Sequence, residues 1–124
     1  MDPRLEAIAL LYLTFAHATD GTLSGDEMRM LATKLRAWQP QASLDSVADQ
    51  IKATVVRYKR LGDQPARIAE AHRCATRLAN GFDPDARGRV LADLRELAMA
   101  DGKETPEETS FLEEIAVKLL AARV

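Results

Sequence analysis

One short phrase occurs twice in this 124-residue chain, and its repetition constrains the fold more than any other feature. The copies read DGTLSGDE at 20–27 and DGKETPEE at 101–108, so that equivalent positions lie 81 residues apart. Both fit Asp-Gly-x-x-[Ser/Thr]-x-[Asp/Glu]-Glu, and each follows an apolar run with helical spacing. A repeated acidic turn between two helices predicts an internally symmetric, all-helical domain.

The composition is that of a soluble globular protein with one core. Hydrophobic residues make up 47% and charged residues 29% of the chain, while aromatic residues make up only 5%. The longest apolar stretch is about ten residues, against the roughly 20 that a membrane-spanning helix needs. With no signal segment in view and Cys74 as the one cysteine, we expect a reducing, cytoplasmic location without a disulfide.

Apolar periodicity predicts one domain over 1–124, an antiparallel bundle of about six to seven helices with pseudo-twofold repeat turns at 19–27 and 100–108. We expect helices over about 3–19, 25–38, 43–60, 64–80 and 106–122, with another opening at Asp83-Pro84. The first is apolar almost all round and therefore belongs in the middle of the fold. Leu44 and Leu120 are assigned to buried stripes, and Asn80-Gly81 is interpreted as a helix stop.

The second half of each repeat is typical of a helix start. Ser24 with Glu27 and Thr105 with Glu108 fit the capping box, in which the hydroxyl and the carboxylate each accept a backbone N–H. Asp26 and Glu107 are also favoured there by the helix dipole. The glutamates therefore have a structural explanation as well as a functional one.

The first half of each repeat points to metal binding. Asp20 and Asp101 fall at the C-terminal end of a helix, where a carboxylate costs about 0.3–1 kcal/mol and free carbonyl oxygens gather. Together with Glu27 and Glu108 they would offer the oxygen ligands that Ca²⁺, Mg²⁺ or Mn²⁺ prefer. A complete EF-hand is excluded because its first two ligand positions hold alanine, leucine or methionine, so the two turns would have to cooperate.

Three neighbouring residues could extend this set. His17 lies one helical turn before Asp20 and would favour Zn²⁺, the less favoured ion here, while Asp26 and Glu107 would add carboxylates. Elsewhere, His72 and Cys74 point in different directions from one helix, so we expect no catalytic pair, and Cys74 is assigned to the core or its boundary. No nucleophile elbow or phosphate loop occurs, and we expect no enzymatic activity.

The phrases Thr19-Asp20-Gly21 to Glu27 and Ala100-Asp101-Gly102 to Glu108 resemble the tellurite-resistance TerB family over essentially the whole chain. The resemblance implies an all-helical fold with pseudo-twofold repeats, an acidic cluster at Asp20, Glu27, Asp101 and Glu108, and a role in metal binding within stress-linked complexes. It does not by itself imply tellurite resistance.

Two functions follow as expectations: a stress-associated module that binds a divalent cation through the acidic turns, or an interaction domain whose acidic turns dock a basic partner without metal. Residues 50–90 hold nine Lys/Arg against four Asp/Glu, and the remainder holds eight against fifteen. Because the basic charges are spread around helices, we expect protein partners rather than nucleic acid. Homo-oligomerisation stays open.

Overall fold

The computed structural model describes residues 3–16, 25–98 and 106–121, which form six α-helices with no strand among them. The helices are α1 Pro3–Ala16, α2 Gly25–Ala37, α3 Leu44–Arg60, α4 Gln64–Gly81, α5 Pro84–Ala98 and α6 Pro106–Ala121. The predicted all-α bundle is therefore confirmed. The ends predicted for the first and last helices, 17–19 and 122, lie outside the described residues.

Short polar side chains start three of the helices. Ser43 Oγ accepts the Ser46 backbone N–H at 3.1 Å, and Asp63 Oδ1 accepts that of Ala66 at 3.0 Å. Asp83 Oδ1 does the same for the N–H two places after Pro84, at 2.8 Å. Each bond satisfies a donor that the first helical turn leaves without a partner.

Both helices at which the sequence predicted a glycine stop end there, but in different conformations. Gly62 follows α3 with a φ of +89°, a left-handed conformation that few other residues adopt readily. As predicted at Asn80-Gly81, α4 ends at Gly81, which is its last helical residue and has no positive φ, and an extended Phe82 follows it. A Cβ at Gly81 would lie 3.3 Å from Arg4 Cδ, so a larger residue there would require the Arg4 side chain to shift.

The first helix is the centre of the molecule. All nine consecutive side chains from Ala7 to Phe15 are at most 4% exposed. The helix packs against α2, α3, α4 and α5, and Phe15 stacks on Phe111 of α6 with ring centroids 4.9 Å apart. This surround explains why α1 is apolar on every face, since a helix contacted on all sides has no stripe left for water.

Two predicted core residues are exposed. Leu44 is 61% exposed because it begins α3, beyond the rim of the core, and Leu120 is 53% exposed, a 100° step round α6 from the buried Leu119. Thr54 is buried instead in α3, and it can be because its hydroxyl donates to the Gln50 carbonyl oxygen at 2.8 Å.

Replacing a central side chain should reduce stability sharply. Leu11→Ala removes a fully buried side chain of α1, and we expect it to lower the free energy of unfolding by about 2–5 kcal/mol. Urea unfolding followed by the fluorescence of Trp38, the one tryptophan, measures the loss. Val117→Ala, at a residue 65% exposed, should change stability by less than about 0.5 kcal/mol. Equal losses in the two variants would contradict the central position of α1.

Candidate functional site

The helices that flank the two acidic turns are in place as predicted. The first turn lies between Ala16 and Gly25, and the second between Ala98 and Pro106. His17, Asp20 and Asp101 lie outside the described residues. Asp26 and Glu27 belong to the first turn of α2, and Glu107 and Glu108 to that of α6, the positions that a capping box requires.

Contacts along α1 and α5 show that these two helices run in the same direction. Arg4, at the start of α1, reaches the Gly81 carbonyl oxygen and lies over the Phe82 ring, just before α5 begins. Eight residues further on, Tyr12 contacts Asp93 in the middle of α5. The C-terminal ends of α1 and α5 therefore lie at one end of the bundle.

The helices that follow the turns begin at that same end. Lys34 of α2 pairs with Glu96 near the end of α5, and Trp38, which directly follows α2, contacts Arg89 nearer the start of α5. Thus α2 runs opposite to α5. Likewise α6 runs opposite to α1, because its early residue Phe111 stacks on the late residue of α1 described above. All four helix ends that border the acidic turns consequently share one end of the fold.

A partly buried polar cluster lies between α1, α2 and α5 and reaches the surface at Glu96. The Tyr12 hydroxyl donates to Asp93 Oδ2 at 2.6 Å and accepts the Trp38 Nε1–H at 3.0 Å. Lys34 Nζ lies 3.6 Å from the other oxygen of Asp93 and also pairs with Glu96. We call these five residues the Tyr12 cluster.

The two central residues of the Tyr12 cluster, Tyr12 and Asp93, occupy equivalent positions in the two halves of the repeat. Tyr12 and Asp93 are 81 residues apart, the same interval that separates Asp20 from Asp101. Two equivalent positions can touch each other only near the axis that relates the two halves. The hydrogen bond therefore lies near the pseudo-twofold axis, and α1–α2 corresponds to α5–α6 about it.

The surroundings keep the tyrosine a hydrogen-bond donor. Burial raises the pKa of Tyr12 well above its usual value, and the hydrogen bond to the Asp93 carboxylate and its charge raise it further. The Trp38 ring beside it stacks on Phe82 at 5.3 Å, with the Arg89 guanidinium over it at 4.1 Å. The cluster is thus a rigid polar contact between the two halves.

Sequence reasoning missed the Tyr12 cluster. Apolar periodicity places Tyr12 in a helix that is apolar almost all round and gives no prediction for Asp93 or Lys34. The signal that could have found the pair is the interval of 81 residues, which applies to every position in the repeat and not only to the acidic phrase.

Other metal-binding or nucleophilic groups are few in the described ranges. Within 3–16, 25–98 and 106–121, no three His, Cys, Asp or Glu side chains are grouped so that they could hold a metal ion. Cys74 is fully buried, as predicted, and burial raises the pKa of its thiol to about 11. The His72 Nε2 atom lies 3.6 Å from Glu114, and the edge of the imidazole faces Phe111.

Comparison with models of known protein families tests the family membership that the repeated phrase indicated. The model of the family described as "Tellurite resistance protein TerB" matches residues 4–121. The chain belongs to the TerB family. Searches of curated proteins and of solved structures gave no significant match. No helix in the described part of this TerB protein is long and apolar enough to cross a membrane.

Removing the Tyr12 hydroxyl should weaken the contact between the two halves of the repeat and lower the free energy of unfolding. Tyr12→Phe leaves the Asp93 carboxylate and the Trp38 N–H without their shared partner, and we expect a loss of about 1–3 kcal/mol in urea unfolding. Thr33→Ala, which removes an exposed hydroxyl bonded within α2, should cost less than about 0.5 kcal/mol. A Tyr12→Phe loss no larger than that of the control would show that the hydrogen bond does not join the halves.

Alkaline pH should also reduce the contribution of Tyr12 to the stability of the fold. Because the pKa of Tyr12 is raised on folding, its contribution is fully present below the unfolded value of about 10 and decreases as pH rises above it. Between about pH 8 and pH 11, Tyr12→Phe should lose less stability than the unmodified protein, as measured by urea unfolding at each pH. Parallel losses would contradict the inferred burial of the phenol.

Proposed function

We propose that this TerB protein is a non-catalytic, stress-associated module of the cytoplasm that binds one or more divalent cations between its two acidic turns. The favoured ions are Ca²⁺, Mg²⁺ and Mn²⁺, with ligands from Asp20, Glu27, Asp101 and Glu108. Further ligands are available in His17, Asp26 and Glu107. The observation that carries the proposal is the arrangement of the four bordering helix ends at one end of the bundle.

The shared end supports cooperation between turns that are each incomplete. Neither turn has the full set of side-chain ligands of an EF-hand, but α1 and α5 pack side by side and in parallel. Adjacent helix axes are about 8–10 Å apart, a span that carboxylate side chains from two turns can bridge around hard cations. Carbonyl oxygens at the two helix ends would add neutral ligands.

Electrostatics also favours a cation at this end. Two carboxylates held at 4 Å repel by about 4 kcal/mol at an effective dielectric constant of 20. The C-terminal ends of α1 and α5 add partial negative charge from two parallel helix dipoles. The described last turn of α1 contains no basic residue, and that of α5 contains one, Arg95, which offsets only part of this charge. A divalent ion would offset this charge and hold the halves together.

Metal titration tests the proposal. With Ca²⁺, Mg²⁺ or Mn²⁺ at 100 times the dissociation constant, we expect the free energy of unfolding to rise by about 2.7 kcal/mol, seen as a higher melting temperature. Asp20→Asn and Asp101→Asn should each reduce the rise, because each removes a charged ligand from a shared site.

Two controls separate the metal site from general effects of charge. Asp85→Asn removes an exposed carboxylate from the first turn of α5, at the opposite end of that helix, and should leave the metal-dependent rise unchanged. Glu27→Gln keeps an oxygen for the capping box but lowers the ligand charge, so it distinguishes binding from capping. No rise with any of the ions at millimolar concentration would contradict the proposal.

A further inference from the structure

A basic groove lies on the other side of the molecule from the Tyr12 cluster, between α4 and α6. Both helices run opposite to α1: Arg4 meets the end of α4, and Phe15 meets the start of α6. They are therefore parallel neighbours. The open groove along them has a volume of about 420 Å³ and is lined by His72, Arg73, Thr76, Arg77 and Lys118.

The lining of the groove is basic, and the two carboxylates that contact it, those of Glu70 and Glu114, belong to residues outside the lining. Arg73 is held from one side by Glu70, whose carboxylate lies 3.2 Å from Arg73 and 3.6 Å from Arg57. Glu70 itself is not part of the lining. In the described part of the chain, Arg77 and Lys118 take part in no hydrogen bond or ion pair, although both are exposed at the groove.

His72 lines the same wall of the groove and is partly exposed. Its Nε2 lies 3.6 Å from Glu114, and Phe111 packs on the imidazole with its ring centroid 5.6 Å away. Its Nδ1 has no hydrogen-bond partner in the described structure, but this atom is buried and therefore out of reach of a ligand in the open groove.

We propose that this groove binds a small oxyanion with two or more negative charges, either inorganic phosphate groups or the phosphates of a nucleotide. A planar guanidinium group can donate two parallel hydrogen bonds to a pair of phosphate oxygens. Two arginines with a lysine from the neighbouring helix would surround such an anion on two sides. The site uses none of the residues proposed for metal binding. Failure of either proposal therefore leaves the other standing.

Calorimetric titration with pyrophosphate and with ATP tests the site. The protein is first passed over a chelating resin, so that no metal ion can link the anion to the acidic turns, and ionic strength is held constant. We expect saturable binding of at least one probe, weakened by roughly tenfold or more in the double variant Arg77→Gln/Lys118→Gln. Tighter binding of ATP than of pyrophosphate would identify a nucleotide as the source, and equal binding the phosphate groups alone.

A matched variant controls for the loss of two charges. Lys52→Gln/Arg60→Gln removes two exposed cations from α3 and should bind both probes as the unmodified protein does. All four positions are exposed, so both double variants should fold, which circular dichroism checks. Absence of saturable binding of either probe at millimolar concentration would overturn the proposal. So would equal weakening in the two double variants.

Discussion

The rest of the structure depends on the burial of α1. Its nine consecutive buried residues contact every other helix, so the first helix supplies the core for the whole chain. The hydrophobic contribution of fully burying one leucine or isoleucine side chain is about 1.5–3 kcal/mol, and this helix buries four. The surrounding helices, which bury one stripe each, have no comparable core without it.

The central position of α1 also explains why the two halves of the repeat have different surroundings and different sequences. About the axis near Tyr12 and Asp93, α1 corresponds to α5, and α2 to α6. However, α3 and α4 both pack on α1, whereas neither packs closely on α5. The two equivalent helices therefore have different sequences: α1 is apolar all round, and α5 keeps an exposed charged face. The sequences of the acidic turns thus keep the repeat that the sequences of the supporting helices have lost.

Much of the fold could be predicted because its signals are local. Capping by Ser43 and the φ of Gly62 depend on neighbouring residues, and the sequence contains those neighbours. The errors came from contacts between distant residues. Leu44 and Leu120 have the spacing of core residues but are exposed, because burial at the rim of the core depends on which helices pack there. The Tyr12 cluster required pairing across 81 residues, which hydrophobic periodicity cannot reveal. The turn residues Asp20 and Asp101 lie outside the described ranges, so their roles remain predictions.

The direction of the helices links the two proposed sites. Parallel α1 and α5 place the C-terminal dipole ends of two helices, and two acidic turns, at one end of the bundle. Parallel α4 and α6 run the other way, and their later turns carry Arg77 and Lys118 towards the opposite end. Lys118 lies in the last turn of α6, where the helix dipole favours a cation, whereas Arg77 precedes the last turn of α4. The same up-and-down topology thus gives the two proposed sites different pairs of helices. A cation would bind where α1 and α5 end, and an oxyanion would bind along the basic groove between α4 and α6.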